Sequence, residues 1–447
     1  MAPRGYHVAR GLRPWGRVQT GDQLVARPRF VDEIATLVHA SRAGGLTSLC
    51  TGLGRSYGDS ALNQGQTVID MSRLDRVLAF DAVNGVLRAE AGLGLSDVIT
   101  RIVPHGWFLP TTPGTRFVTL GGAVANDVHG KNHGRAGTFG ASVRRIGLWR
   151  SDRGEVEISP DLTPELFCAT VGGLGLTGAI LWVEIQLARI GSSRLDVETI
   201  PFGNLDQFLQ IALESEAGHE HTVAWVDCSS RGPGFGRGVF TRANWRDDGP
   251  LTVHTDRRRL TLPVDLPGFA LNGLSLAALN ALIHARQTTR PRREICHYAQ
   301  AFYPLDAIGA WNRLYGPRGF FQFQCVTPLG AGMQPVADLL AAISAVGQGS
   351  FLVVLKTFGE RASPGLLSFP RRGVTLAIDV ANRGERTLAL LSRLDRIVMA
   401  AGGRLYPAKD GRMPPAMFRA GYPELPRFIG QIDPAFSSSF WRRMCHD

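Results

Sequence analysis

The run Val118-Thr-Leu-Gly-Gly-Ala-Val-Ala-Asn-Asp-Val-His-Gly-Lys-Asn-His133 constrains the fold more than any other stretch of the chain. Its first half is nearly without side chains and its second half is dense in polar groups. Gly121, Gly122, Ala123 and Ala125 bury little apolar surface and leave the backbone bare. A bared backbone admits a bulky planar group against it, with His129 and Lys131 as donors nearby. Two further runs share this character. Cys50-Thr-Gly-Leu-Gly-Arg-Ser-Tyr-Gly-Asp-Ser60 carries Gly52, Gly54 and Gly58, whose amides can turn toward an anion, and Ser56 adds a hydroxyl. Val171-Gly-Gly-Leu-Gly-Leu-Thr-Gly178, followed by Ile180, again brings bare backbone close to something large.

Taken singly, each run reads equally well as a tight turn. The Gly52 run resembles a dinucleotide fingerprint, but its third Gly is one place late and no Gly-opened helix follows, so NAD is discounted. His129 and His133 have no carboxylate or Cys set beside them, and no metal is expected.

At 447 residues the chain predicts two domains. Short strand-like runs and Gly-rich turns alternate up to about residue 190. Helices are predicted over Phe30–Ala43, over Ser96–Val103 with Ser96 as cap, and over Pro164–Thr170. Strands are predicted at Thr67–Asp70, Val86–Ala91 and Ala179–Leu187, with a hairpin joining Val143–Trp149 to Glu155–Ile158. Beyond residue 200 longer elements alternate: helices over Leu205–Glu216, Pro304–Tyr315, Pro335–Val346 and Glu385–Ala401, and strands over Thr222–Cys228, Gly319–Val326, Phe351–Phe358 and Gly373–Val380. This α+β pattern predicts one antiparallel sheet backed by helices.

The formal charge of +11 points to an anionic partner. No basic helix, zinc finger or aromatic RNA-binding strand accompanies it, and nucleic acid is not the expected partner. Of 49 basic side chains only Lys131, Lys356 and Lys409 are lysines. A chain that uses Arg for surface charge keeps Lys where a compact, pKa-adjustable amine is needed. Codon bias with three accidental survivors is the alternative, and the apolar or Gly-rich settings of all three favour a functional reading over it. Six scattered cysteines give neither a zinc motif nor a disulfide framework, so a reducing, cytoplasmic compartment is expected. Neither a secretory leader nor a spanning helix is expected. Leu260–Ile283 is apolar but broken by Pro263, Asp265, Pro267, Asn272 and Asn280, with Arg257, Arg258, Arg259, Arg286, Arg290, Arg292 and Arg293 around it. It reads as a loop followed by a core helix, or as an interfacial flap at the inner membrane.

The three glycine runs together resemble the FAD-binding domain of the vanillyl-alcohol-oxidase superfamily. Within it, Gly54-Arg-Ser-Tyr-Gly-Asp59, Pro113-Gly-Thr115, His129-Gly-Lys-Asn-His133, Trp311-Asn-Arg-Leu-Tyr-Gly-Pro317, Phe321-Gln-Phe-Gln324 and Arg404-Leu-Tyr-Pro-Ala-Lys-Asp410 resemble the decaprenylphosphoryl-β-D-ribose 2′-oxidase family over nearly the whole chain. The resemblance implies a two-lobed FAD-binding domain of PCMH type over 1–193, a substrate domain with its antiparallel sheet over 194–403, and a C-terminal return to the FAD domain over 404–447.

It implies FAD held by Gly52, Leu53, Gly54, Arg55, Ser56, Tyr57, Gly58, Asp59, Ser60, Gly114, Thr115, Thr119, Gly121, Gly122, Asn126, His129, Ile180 and Tyr406. Arg55 stands where many superfamily members carry the His that links FAD covalently, so non-covalent FAD is expected. Lys131, Trp225, Gln322, Gln324, Lys356 and Phe358 are implied to line the substrate pocket. Lys409, His129 and Tyr57 are the candidate catalytic side chains, with the proton acceptor left open between Lys409 and His129. Some family members carry Cys where this chain has Ala377. The implied substrate is a polyprenyl-phosphoryl ribose, the implied partner a short-chain reductase, and the implied contact a peripheral one with the membrane. The alternative is a sugar-lactone or alditol oxidase acting on soluble polyols.

Overall fold

Alternation with a period of two, along strands whose two faces meet different surroundings, decides the architecture of the larger half of the molecule. A computed structural model describes residues 2–255, 260–267, 273–286 and 292–445. Its largest element is an eight-stranded sheet in the order Arg292–His297, Arg194–Phe202, Gly238–Trp245, His221–Val226, Val353–Phe358, Gly373–Ala381, Phe320–Pro328 and Arg404–Leu405. Every pairing in it is antiparallel. On one face Val226, Phe323, Cys325, Val353, Leu355, Leu376 and Ile378 bury against the helices Leu205–Gly218, Gln334–Val346 and Glu385–Ala400. Truncating a fully buried Leu such as Leu355 to Ala would cost about 2–5 kcal/mol. The intervening residues point the other way, toward the cavity described below.

The glycine-rich N-terminal part forms two smaller sheets. Gly21–Ala26, Thr67–Asp70 and Ser48–Thr51 pair in parallel, with His7–Leu12 antiparallel at the edge. Val77–Asp81, Val86–Glu90, Ala179–Gln186, Val143–Arg150 and Gly154–Ile158 form an antiparallel five-stranded sheet. The C-terminal segment runs back along the first of these, where Ser48 N donates to Ala435 O and Ser437 N to Ser48 O.

Local expectations differ from the structure in a few places, each with a physical cause. The helix Leu95–Ile102 is capped by Gly94, and Ser96 sits inside it with its hydroxyl 3.0 Å from His254 Nε2. Phe30 precedes the helix Glu33–Ala43, because the Glu33 carboxylate accepts from the amides of Arg29 and Phe30 and holds the chain in a turn. Pro304–Tyr315 is two short 3-10 turns rather than one helix. The break comes where Ile308 and Gly309 pair with Leu260 and Thr261 and Ala310 takes a positive φ of 53°. The small-residue run contains a helix, Leu120–Ala125, capped by Thr119, whose Oγ1 accepts from Gly122 N at 3.1 Å. Gly273–Arg286 is helical, while Arg257, Arg258, Arg259 and Arg290 lie outside the described residues. No helix among the described residues is long and apolar enough to cross a membrane.

Candidate functional site

Side chains from the sheet's open face meet the glycine runs around a cavity of about 690 Å³, within the range of small-molecule and cofactor sites. The sheet supplies alternate residues of five adjacent strands: Val239 and Thr241, Val223 and Trp225, Val354 and Lys356, Thr375 and Ala377, Gln322 and Gln324. Facing them are Gly52–Tyr57, Gly114 and Thr115, Thr119, Gly121, Gly122, Ala125 and Asn126, His129–Lys131, Ile180, Tyr406 and Lys409, while Leu120, Ala123 and Val124 turn into the core. Of the residues expected in the site, only Gly58, Asp59 and Phe358 stand outside the wall. A Cβ on Gly58 would lie 1.5 Å from Asp410 O, so this glycine is required by backbone packing. Asp59 is buried and paired with Arg443 at 2.8 Å. Phe358 backs the site, its ring 5.0 Å from His129 and 4.6 Å from His133.

All three lysines of the chain line this one cavity, although they come from a loop, a strand and a C-terminal turn. Burial lowers each ammonium. Lys356 falls to about 7, driven by burial and then by the charges of Lys131 and Lys409. Lys131 falls to about 8, with Cys296 opposing weakly. Lys409 also falls to about 8, held up against burial by Asp379. Its Nζ lies 4.1 Å from the centroid of the Tyr57 ring. Burial, then Asp379, pushes the Tyr57 phenol well up, so it stays protonated. Tyr57 is fixed by an aromatic cluster, edge-on to Phe320 at 5.5 Å, with Trp311 and Tyr315 behind.

His129 is held from both sides. Its Nδ1 is 3.2 Å from Lys356 Nζ, and its Nε2 is 2.9 Å from the Gln324 carboxamide. Lys356 also donates to Gly130 O at 3.0 Å. Burial, then Lys356, keeps the imidazole pKa well below its usual value. A neutral ring carries one N–H, so this chain has two proton arrangements. Either the Lys356 ammonium donates to Nδ1 and Nε2–H meets the amide oxygen of Gln324, or Nδ1–H donates to a neutral Lys356 amine and the Gln324 NH₂ donates to Nε2.

Sequence reasoning missed Asp379 and Asp306. Asp379 is buried, with Oδ1 accepting from Gln322 Nε2 at 2.6 Å and Oδ2 without a partner, and burial raises its carboxyl to about 7. Thr375, Ala377 and Asp379 alternate along one strand, so the same period that marks Gln322 and Gln324 was a legible signal. Asp306 lines the cavity and accepts from Thr115 Oγ1 at 2.7 Å and Arg116 N at 3.0 Å, engaging the Thr115 hydroxyl within the protein. No local pattern announces that contact across 191 residues.

The wall fits a flavin dinucleotide. The Cβ positions of Gly54 and Gly114 face open space. Ser60 Oγ is buried in the wall without a hydrogen-bond partner, which suits a polar ligand atom. Tyr406 donates to Asn126 O at 2.8 Å and stacks on Phe369 at 4.7 Å, stiffening a flat side of the cavity. Arg55 lies over Trp15 at 4.2 Å, at the rim of the Gly52–Ser56 loop.

Comparison with known proteins accords with this geometry. Residues 23–159 match the model of an FAD binding domain family. The chain is thus an FAD-dependent oxidoreductase, with an α+β fold pairing a PCMH-type FAD-binding unit with the antiparallel sheet. It is 35% identical to the decaprenylphosphoryl-β-D-ribose oxidase of Mycolicibacterium smegmatis over 97% of both chains. The chain belongs to the decaprenylphosphoryl-β-D-ribose oxidase family. An uncharacterised protein of Streptomyces coelicolor is 34% identical over 77% of this chain and 97% of its own. The mouse L-gulonolactone oxidase is 28% identical over 37% of each chain.

Proposed function

We propose that this protein oxidises the C2′ hydroxyl of a polyprenyl-phosphoryl-β-D-ribose to the 2′-keto sugar. The observation that carries this reading is the convergence of all three lysines on one cavity in a chain that matches a decaprenylphosphoryl-β-D-ribose oxidase end to end. Bound FAD supplies the hydride acceptor, and the loops Gly52–Ser60 and Thr119–Asn126 would hold it. Arg55 in place of a linking His supports non-covalent attachment.

Lys409 takes the hydroxyl proton in this reading. Both ring nitrogens of His129 are engaged by Lys356 and Gln324, whereas the Lys409 amine lies against the Tyr57 ring in the field of Asp379. Accepting the proton makes it an ammonium, which the ring face and the carboxylate both stabilise. Trp225, Gln322 and Gln324 orient the sugar; the Trp225 ring is itself pinned by Nε1–H donating to Phe351 O at 3.0 Å.

The 2′-keto product needs a hydride donor to become the arabinose epimer, and a separate reductase would supply it. Exposed Leu260 and Val264 support a peripheral membrane contact. The test is anaerobic mixing of the flavin-loaded protein with a prenyl-phosphoryl riboside. Bleaching of the flavin band with formation of a keto sugar is expected. Bleaching by free polyols alone would move the assignment to a soluble-polyol oxidase.

A further inference from the structure

Lys409 has Asp379 as its counter-charge. Lys131 and Lys356 have none. Among the described residues neither forms an ion pair with a carboxylate, and the charges acting on Lys356 are those of the other two lysines. Glu220, beyond Lys131 in the chain, meets Asn132 and His221 instead. The other titratable groups around the pair are His129, His133 and His221, all held neutral by burial, and the weakly acting Cys296. A buried cation at Lys356 and a half-buried one at Lys131 without an anion are costly to maintain, because desolvation is offset only by a charged or hydrogen-bonded partner.

The donors are also incompletely used. An ammonium has three N–H groups. Lys131 gives one, to Ala301 O at 2.5 Å, and Lys356 gives at most two, to Gly130 O and His129 Nδ1. The remaining N–H groups belong to residues that line the same cavity. Trp225, Val354 and Phe302 give the same cavity apolar wall surface.

We propose that Lys131 and Lys356 form a two-lysine anion site that takes the phosphodiester of the substrate, so that the enzyme selects a phosphorylated sugar over a neutral one at this point. The inference rests on the reading of the substrate as a prenyl-phosphoryl riboside. Binding of the diester places Lys356 in the ammonium form. Nδ1 of His129 then accepts from Lys356, and Nε2–H donates to Gln324 Oε1 after the carboxamide turns over from the orientation in which its Nε2 lies 2.9 Å from His129 Nε2. The phosphate thereby also sets the tautomer of the histidine beneath it.

The test uses flavin-loaded full-length protein and farnesyl-phosphoryl 2-deoxyribose, which lacks the oxidisable hydroxyl, beside its uncharged methyl phosphotriester. Binding is read by calorimetry. The wild type should prefer the charged ligand by about 10- to 100-fold. Lys131→Met and Lys356→Met should each erase most of that preference, and Lys131→Arg should restore part of it. Flavin absorbance confirms that each variant is folded. An equal preference in wild type and both Met variants overturns the proposal. If neither riboside binds, inorganic pyrophosphate is titrated in the presence of saturating FAD. Binding that depends on both lysines keeps the anion site and removes the substrate reading. No such binding removes both.

Discussion

The Nζ of Lys409 lies 4.1 Å from the centroid of the Tyr57 ring, although the two residues come from opposite ends of the chain. The ring face favours the ammonium by about 0.5–2 kcal/mol. Tyr57→Phe keeps the face and should leave the pH profile of flavin reduction in place. Tyr57→Leu removes it and should shift the inflection assigned to Lys409 down by about 0.5–1 unit. Identical profiles for Phe and Leu would mean that the ring does not act on the amine.

The pH dependence follows from the direction of the Lys409 shift. A base must be neutral to accept a proton, so the rate of flavin reduction should rise with pH and level off above about 8. Lys409→Met should slow reduction by about 100- to 10,000-fold and abolish that inflection. Stopped-flow absorbance between pH 6 and about 9.5 checks both.

Asp379 makes an opposite contribution to stability. Its folded carboxyl pKa of about 7 lies above the ordinary 3.8. The raised value stabilises the fold fully below the unfolded pKa, and that contribution is lost as pH rises through about 7. Asp379→Asn should therefore raise the melting temperature at pH 8 by several degrees, roughly 5 °C, with the difference closing in acid. The same change should move the Lys409 inflection to lower pH, because the carboxylate that opposes its desolvation is gone.

Two glycines of the expected cofactor cradle should separate cleanly. Gly58→Ala forces a Cβ to within 1.5 Å of Asp410 O and should cost about 3 kcal/mol or more. Gly114→Ala has nothing within 4 Å and should leave stability within about 0.5 kcal/mol. Because Gly114 lines the cavity, the methyl should weaken flavin retention, measured by dialysis and absorbance.

Arg443 ties the C-terminal helix to the first glycine run, pairing with Asp59 at 2.8 Å and Asp410 at 2.9 Å. Both carboxylates are buried. Arg443→Met leaves them uncompensated and should destabilise the protein by about 3–5 kcal/mol in urea unfolding. A loss below 1 kcal/mol would show that solvent reaches the pair.

Much of the site could be read from the chain because its causes are local. The glycine runs are legible where bare backbone is itself the signal, as at Gly54. The family resemblance implies Gln322, Gln324 and Lys356 as pocket residues, and the period of two in Phe321-Gln-Phe-Gln324 puts Gln322 and Gln324 on one face of their own strand. The scarcity of lysine marks three positions in a chain of 447 residues. These features depend on side-chain size, on pleat geometry and on composition, all carried by adjacent residues.

What only the tertiary structure decided is which of these marked residues meet. Lys356 reaches Gly130 O across 226 residues, and Gln322 stands opposite Asp379 because of the register between two strands. Strand order and register depend on how whole faces bury against each other, which no short window contains. The same cause separates the glycines of one run. Gly54 faces open space while Gly58 is filled by the carbonyl of Asp410, and only the return of the C-terminal segment makes that difference.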